Sequence, residues 1–227
     1  MRRLIASALL ALAVCPAAAD AQTVTDERVW FVLTLQEQGS ESSPWRWSGD
    51  LILRGRDGAS DLDTFSVRPT ILYALTGQST LGGGYVFAAT YPASGGTTIE
   101  HRAFGQYVWA GRPGGTSVSY RARLEARFIE DNSAPAARVR NQLRVSRPIR
   151  AGSRLSLVAS DELFLHLNNT TRTARGIDQN RAFAGVAIGV GSGGRVEAGY
   201  LNQFSPGHRG AANRNNHILS TALNFAF

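Results

Sequence analysis

The chain has 227 residues, with 24 basic residues, all of them arginine, against 17 acidic residues, which gives a formal net charge of +7. A hydrophobic content of 43% excludes a wholly disordered chain. After the first twenty residues no run approaches the ~18 consecutive apolar residues that a membrane-spanning helix needs. The composition therefore excludes a helical membrane protein.

The first segment has the pattern of a secretory signal peptide. A short basic start at Met1-Arg2-Arg3 precedes an apolar run over 4–14, and Ala19-Asp20-Ala21 ends it with small residues. We expect cleavage before Gln22, so that residues 1–21 are the signal peptide and residues 22–227 form one domain. Cys15, the single cysteine, would be removed, and the exported domain would contain no disulfide. A lipid-modified Cys15 is the disfavoured alternative, because a valine precedes it.

The rest of the chain alternates with a period of two residues, which predicts β-strands rather than helices. In the run Val118–Ile129, for example, Leu124 and Phe128 share one face, while Arg123 and Glu125 share the other. Eleven such runs can be recognised. They are Val29–Leu35, Trp45–Arg56, Thr64–Leu75, Leu81–Tyr91, Ile99–Trp109, Val118–Ile129, Arg138–Arg147, Leu155–His166, Asn180–Val190, Arg195–Phe204 and His217–Phe227.

These runs favour a closed, antiparallel, up-and-down transmembrane β-barrel. Most are about ten to twelve residues long, which fits the ~9–11 residues of a tilted membrane strand. Short turns alternate with mostly longer, polar connections, as in outer-membrane barrels. Because single-chain bacterial barrels normally have an even number of strands, we expect 12 strands, or 10 if the first run lies outside the wall. The alternative is a secreted periplasmic β-sandwich that acts as a binding protein.

The last run resembles the C-terminal strand of bacterial outer-membrane barrels, which ends in an aromatic residue and is recognised by the barrel assembly machinery. Leu223, Phe225 and Phe227 lie on one face, and the chain stops at Phe227. We expect these three residues to be the C-terminal assembly signal. The protein would then be a monomer in the outer membrane of a Gram-negative bacterium, in contact with outer-membrane lipid, and without a nucleic-acid partner.

The charged faces of the strands predict a lumen lined by arginine and glutamate. Opposite charges should meet across neighbouring strands, with Glu100 opposite Arg127, Arg102 opposite Glu125, Glu125 opposite Arg140, and Glu162 near Arg138. Such a narrow lumen would be structural or weakly anion-conducting. The predicted charge ladder consists of Glu100, Arg102, Arg121, Arg123, Glu125, Arg127, Arg138, Arg140, Glu162, Arg181 and Glu197.

Other motifs give little support to enzymatic chemistry. The glycines over 189–194 fit G-x-G-x-x-G, but a strand rather than a helix follows them. The four histidines lack metal-ligand spacing, so we expect no metal, no cofactor and no enzyme. The exception kept open is a lipid-modifying hydrolase or transferase with His101 on the apolar face. Asp161 also falls on an apolar face, and a β-bulge near Ser160 would turn it inward.

Several short motifs lie along the mature chain. They are Glu100-His101-Arg102, the strand Arg121-x-Arg123-Leu124-Glu125-x-Arg127, Arg138-x-Arg140, Asp161-Glu162, Gln179-Asn180-Arg181, Glu197-Ala198-Gly199-Tyr200, and the stretch from His217 to Phe227. In these motifs the chain resembles a family of bacterial outer-membrane barrels known only as a domain of unknown function. The resemblance implies an outer-membrane β-barrel and brings no activity with it.

Overall fold

A computed structural model describes residues 22–40 and 42–227. The expected signal peptide, 1–21, lies outside the described residues. Every alternating run forms a strand. The strands are β1 (Thr23–Gln36), β2 (Trp45–Arg56), β3 (Asp61–Ala74), β4 (Ser79–Thr90), β5 (Thr98–Gly111), β6 (Ser117–Ile129), β7 (Ala136–Pro148), β8 (Leu155–His166), β9 (Gly176–Val190), β10 (Gly194–Ser205) and β11 (Asn213–Ala226).

The strands close into one barrel in which each strand pairs with its neighbours in the chain, and β1 pairs with β11. The prediction of a closed all-β barrel is confirmed, and closure excludes the two-layered sandwich. The predicted strand number of 12, with 10 as the alternative, is wrong, because the described residues form eleven strands. The even-number rule assumes that the closing pair is antiparallel. Here β1 and β11 are parallel, as Thr23↔Asn213 and Gln36↔Ala226 show, and an odd number closes the sheet.

The two rims of the barrel differ. At the rim where β11 ends, four connections are short, over 75–78, 112–116, 149–154 and 191–193. At the opposite rim, the connections over 91–97, 130–135, 167–175 and 206–212 are mostly longer. The connections that flank β2 reverse this trend, because 37–44 lies at the first rim and 57–60 at the second. Within the described residues, no helix is long and apolar enough to cross a membrane.

The wall separates apolar from charged residues in an inverted manner. Leu124 faces outward and is 55% exposed, while the adjacent Glu125 faces inward and is 1% exposed. Ile71 and Leu157 are likewise 60% and 58% exposed on the outside. A sheet whose outer face meets water normally carries its polar residues there. This barrel instead keeps most of the charged side chains of its strands inside.

Two irregularities in the pairing each turn an aspartate toward an arginine. The register shifts where Asp63 is inserted into β3, and Asp63 accepts a hydrogen bond of 3.2 Å from Arg28. It shifts again where Asp178 is inserted into β9, and Asp178 accepts one of 2.8 Å from Arg138. The bulge predicted near Ser160 is wrong, because the pairing of β8 with β7 and with β9 is continuous from Ser156 to Phe164. Asp161 stays outside, where both carboxylate oxygens accept hydrogen bonds from the Asn180 amide.

Candidate functional site

The centre of the interior is a carboxylate held by two arginines. Glu125 Oε2 accepts hydrogen bonds from Arg138 Nε and Nη2 at 2.9 and 2.6 Å, and Oε1 accepts one from Arg140 Nη1 at 2.8 Å. Arg123 Nη1 approaches Oε1 at 3.8 Å. All four side chains are buried. Charges removed from water in this way require ionic and hydrogen-bonded partners.

A second glutamate extends this cluster toward the rim where β11 ends. Glu162 Oε1 accepts hydrogen bonds from Arg140 Nε and Nη2 at 3.1 and 2.8 Å, and from Arg121 Nη2 at 2.8 Å. Arg140 therefore bridges Glu125 on β6 and Glu162 on β8. Because one guanidinium serves two carboxylates, the three strands β6, β7 and β8 are linked through side chains as well as through their backbones.

Glu100 forms a third node, with two arginines. Arg102 donates from Nε and Nη2 to the two carboxylate oxygens at 2.7 and 2.8 Å. Arg127 donates from Nε and Nη2 at 2.5 and 3.1 Å. Both pairs have the forked geometry that makes arginine–carboxylate contacts strong and directional. Nearer the rim where β11 ends, Arg144 donates a hydrogen bond to Glu197, and Arg195 lies 4.0 Å from the same carboxylate.

All residues of the predicted charge ladder point inward, but the predicted registers are wrong. The structure pairs Arg102 with Arg127 in register, and Glu125 with Arg138. The ion pairs Glu100–Arg127 and Glu125–Arg140 nevertheless form, because long arginine side chains reach diagonal neighbours. The expected contacts of Arg102 with Glu125, and of Glu162 with Arg138, are replaced by those described above.

Arginine and aromatic rings together form a layer across the lumen. The guanidinium carbons of Arg54 and Arg181 lie 4.2 and 4.7 Å from the ring centroid of Trp30. On Phe164, those of Arg181 and Arg140 lie at 4.6 and 4.5 Å. Such cation–π contacts favour a guanidinium over the face of a ring. We call Trp30, Arg54, Arg140, Phe164 and Arg181 the arginine–aromatic layer.

The layer separates two cavities in the lumen. The larger one, about 600 Å³, extends toward the rim where β11 ends and is lined by Asp50, Glu162 and Glu197 among others. The smaller one, about 210 Å³, lies on the side of the longer connections. Arg54, Arg102, Arg140 and Arg181 line both cavities. The four arginines thus stand where the lumen passes from one cavity to the other.

Sequence reasoning missed several members of this site. Arg54 lies on the polar face of the run Trp45–Arg56. It is four residues from Asp50 and so on the same side of the strand, which is enough to predict it as a member of the charge ladder. Asp178 depends on a bulge that alternation does not reveal. Trp30 and Phe164 are apolar residues on the inner face. A rule that places charged residues inside and apolar residues outside therefore predicts the wrong face for both.

The remaining predicted residues lie on the outer wall or at its rim. Phe225 and Phe227 are 42% and 60% exposed, and the Phe227 ring lies 5.4 Å from that of Trp47. Leu223 also lies on β11, in register with Leu33 of β1. His101 faces outward, and its Nδ1 shares a hydrogen bond with the Tyr85 hydroxyl. Among the described residues, no group of three or more His, Cys, Asp or Glu side chains could hold a metal ion.

Comparisons with known proteins place the chain in a family. Residues 27–216 match the family described as "Protein of unknown function (DUF2490)", which confirms the resemblance noted from the sequence. An uncharacterized protein of Methylorubrum extorquens is 32% identical over 205 residues, which are 89% of this chain and 88% of that protein. A solved structure, LpxR from Salmonella typhimurium, superposes with a TM-score of 0.49 at 12% identity over 86% of this chain and 87% of LpxR.

The expectation that the chain is not an enzyme is overturned. A barrel fold does not decide whether a protein catalyses a reaction, so the scattered histidines and the expected export give no ground for excluding one. At this identity and TM-score the likeness to LpxR concerns the fold, and it assigns no reaction and no substrate to this chain.

Proposed function

Because the chain belongs to the family described as "Protein of unknown function (DUF2490)", we propose its function from the barrel itself. We propose an outer-membrane β-barrel that lets small anions pass slowly through an arginine-rich lumen. The observation that carries the proposal is a pair of half-buried arginines, Arg54 and Arg181, which line both cavities of the lumen and form no ion pair with the described residues.

The inverted wall supports the membrane location. Leucine, isoleucine and aromatic side chains cover much of the outside, and most charged side chains of the strands lie within. In water this arrangement would expose a large apolar surface, whereas in a bilayer the same surface contacts acyl chains. The expected signal peptide over 1–21 and the aromatic C-terminus at Phe227 agree with export and assembly in the outer membrane of a Gram-negative bacterium. The barrel assembly machinery would be a partner only during biogenesis, and the folded protein would be a monomer in outer-membrane lipid.

The interior charge supports anions as the permeating species. Most inward arginines have a carboxylate partner, such as Glu100, Glu125 or Glu162. Among the described residues, Arg54 forms no hydrogen bond or ion pair, and Arg181 donates a single hydrogen bond, to Gln179 Oε1 at 3.4 Å. An unneutralised positive charge lowers the barrier for an anion and raises it for a cation.

The same layer explains why passage should be slow. Eleven strands enclose a much narrower interior than the 16–18 strands of porins. Stacking on Trp30 and Phe164 holds the guanidinium groups across the lumen. An anion must therefore leave much of its hydration and move between arginines in single file, so we expect a small unit conductance.

Planar-bilayer recording of the refolded mature chain tests the proposal. A chloride gradient should give a reversal potential toward the chloride equilibrium potential. Arg54→Gln combined with Arg181→Gln should move it toward zero, because the two unneutralised charges are lost. Arg147→Gln is the matched control, since Arg147 lies on the exposed outer face of β7 and removes the same charge from outside the lumen.

Heat-modifiability gels on isolated outer membranes supply the second measurement. A closed barrel in the membrane should migrate faster before boiling than after it. Recovery of the chain in the soluble periplasmic fraction would reject the membrane location. A folded barrel with no conductance, or with equal passage of chloride and potassium, would reject the anion pathway.

A further inference from the structure

The smaller cavity is lined almost entirely by polar groups, and its balance of charge is positive. It lies on the side of the longer connections and holds about 210 Å³. Among the described residues that line it, Asp178 is the one acidic side chain, and this carboxylate already contacts Arg138 Nη1 at 2.8 Å and His166 Nε2 at 3.4 Å. The lining residues are Arg54, Arg102, Arg127, Arg138, Arg140, Phe164, Asp178, Gln179, Arg181 and Gln203.

Four of these arginines already have carboxylate partners, and two do not. Arg102 and Arg127 are paired with Glu100, while Arg138 and Arg140 are paired with Glu125. The remaining two are Arg54 and Arg181. Asp63 attracts Arg54 and Glu162 attracts Arg181 only at longer range, and both carboxylates are already ion-paired, Asp63 with Arg28 and Glu162 with Arg140. Both of these guanidinium groups lie over the ring of Trp30, close enough to repel each other.

Unused donors point to a ligand at this place. Arg54 and Arg181 line the cavity, and their guanidinium groups form only one hydrogen bond with the described residues, from Arg181 Nη2 to Gln179 Oε1 at 3.4 Å, so the Nη groups of Arg54 are unused donors. Buried donors in folded proteins are nearly always paired with protein, water or a ligand. Gln179 adds a further donor, because its Oε1 accepts from both Gln203 and Arg181, which leaves its amide NH₂ group to donate.

We propose that the 210 Å³ cavity binds a small inorganic oxyanion of the phosphate class between Arg54 and Arg181. A planar guanidinium fork matches two oxygens of such an anion, whereas a chloride ion offers one point of contact. The volume corresponds to roughly seven water molecules at ~30 Å³ each, which leaves room for a tetrahedral oxyanion with some hydration. The inference deepens the proposed function and rests on it for how the anion arrives.

Isothermal titration of the refolded mature chain in detergent micelles tests the site. Inorganic phosphate is titrated at constant ionic strength against a chloride background. Arg54→Gln and Arg181→Gln should each weaken phosphate binding by at least about tenfold, as expected for the loss of one charge-assisted pair. Arg147→Gln should leave the affinity unchanged. Heat-modifiability of each variant shows that its barrel is folded.

Two further variants keep the test decisive if neutral arginine replacements fold poorly. Arg54→Lys preserves the charge but removes the fork, so phosphate binding should fall although the net charge of the lumen is kept. Gln179→Glu supplies the missing carboxylate and should abolish phosphate binding in a folded barrel. Unchanged affinity in Gln179→Glu, or equal affinity of the wild-type protein for chloride and phosphate, would overturn the site.

The two proposals can fail separately. Phosphate binding that depends on Arg54 and Arg181, in a barrel without conductance, supports the site and rejects the anion pathway. Anion-selective conductance without measurable phosphate binding rejects the site and supports the pathway.

Discussion

Replacing Glu125 by glutamine tests whether the interior charges are withdrawn from water. The carboxylate is 1% exposed and accepts three hydrogen bonds from Arg138 and Arg140. Glu125→Gln keeps the shape but removes the negative charge, so Arg123, Arg138 and Arg140 are left with less compensation. Breaking a buried ion pair by removing one partner typically costs about 3–5 kcal/mol. Since Arg138 keeps Asp178 and Arg140 keeps Glu162, we expect about 3 kcal/mol.

The measurement is urea-dependent refolding into detergent micelles, followed by tryptophan fluorescence, with the free energy of unfolding obtained by linear extrapolation. Asp131→Asn is the matched control. Asp131 lies in a connection, is 81% exposed, and its carboxylate is 3.5 Å from Arg172. Its loss should cost no more than ~1 kcal/mol, as for other surface ion pairs. If Glu125→Gln costs no more than Asp131→Asn, the interior is hydrated and the reasoning from burial is wrong.

Two further predictions concern the wall. Gly84→Ala should lower the free energy of unfolding by about 1–3 kcal/mol, because a Cβ there would lie 2.4 Å from the Pro69 carbonyl oxygen and 2.6 Å from Phe104 Cζ. Gly105→Ala is the control, since a Cβ there meets no atom within 4 Å. It should change the free energy of unfolding by less than ~1 kcal/mol in the same refolding assay. The register partners Val32 and Ala222, when both are changed to cysteine, should form a disulfide on oxidation that alters mobility on a denaturing gel. Val32→Cys alone should not change mobility, and an uncross-linked double variant would contradict the parallel closure.

The sequence allowed the strands and their two faces to be predicted, because alternation is a local property. Each residue of the predicted ladder points inward, since parity within one strand decides inside from outside. The bounds of β1 were underestimated, at Val29–Leu35 instead of Thr23–Gln36, because its first residues are polar and lack the apolar half of the pattern.

Strand register and closure could not be derived in this way. The predicted pairing of β5 with β6 is displaced by two residues from the observed Arg102↔Arg127. A displacement of two leaves every side chain on the same face, so the hydrophobic pattern does not penalise it. Closure depends on which strands meet last, and the parallel pairing of β1 with β11 is a contact between the two ends of the chain. No pattern within a single strand predicts this pairing.

The arginines without an ion-pair partner help to decide between two interpretations of the lumen. One is an interior that only fills the barrel, and the other is an interior that also serves a function. A lumen that only needed filling would gain stability from a carboxylate beside Arg54 and Arg181, or from apolar side chains of similar volume, because unpaired buried charge is destabilising. Glu100, Glu125 and Glu162 show that this chain places carboxylates beside other inward arginines. At the layer between the cavities it places Gln179, Trp30 and Phe164 instead. Proteins tolerate such local instability chiefly where a functional site requires it, so the missing negative charge at this layer is best supplied by an anion from outside the chain.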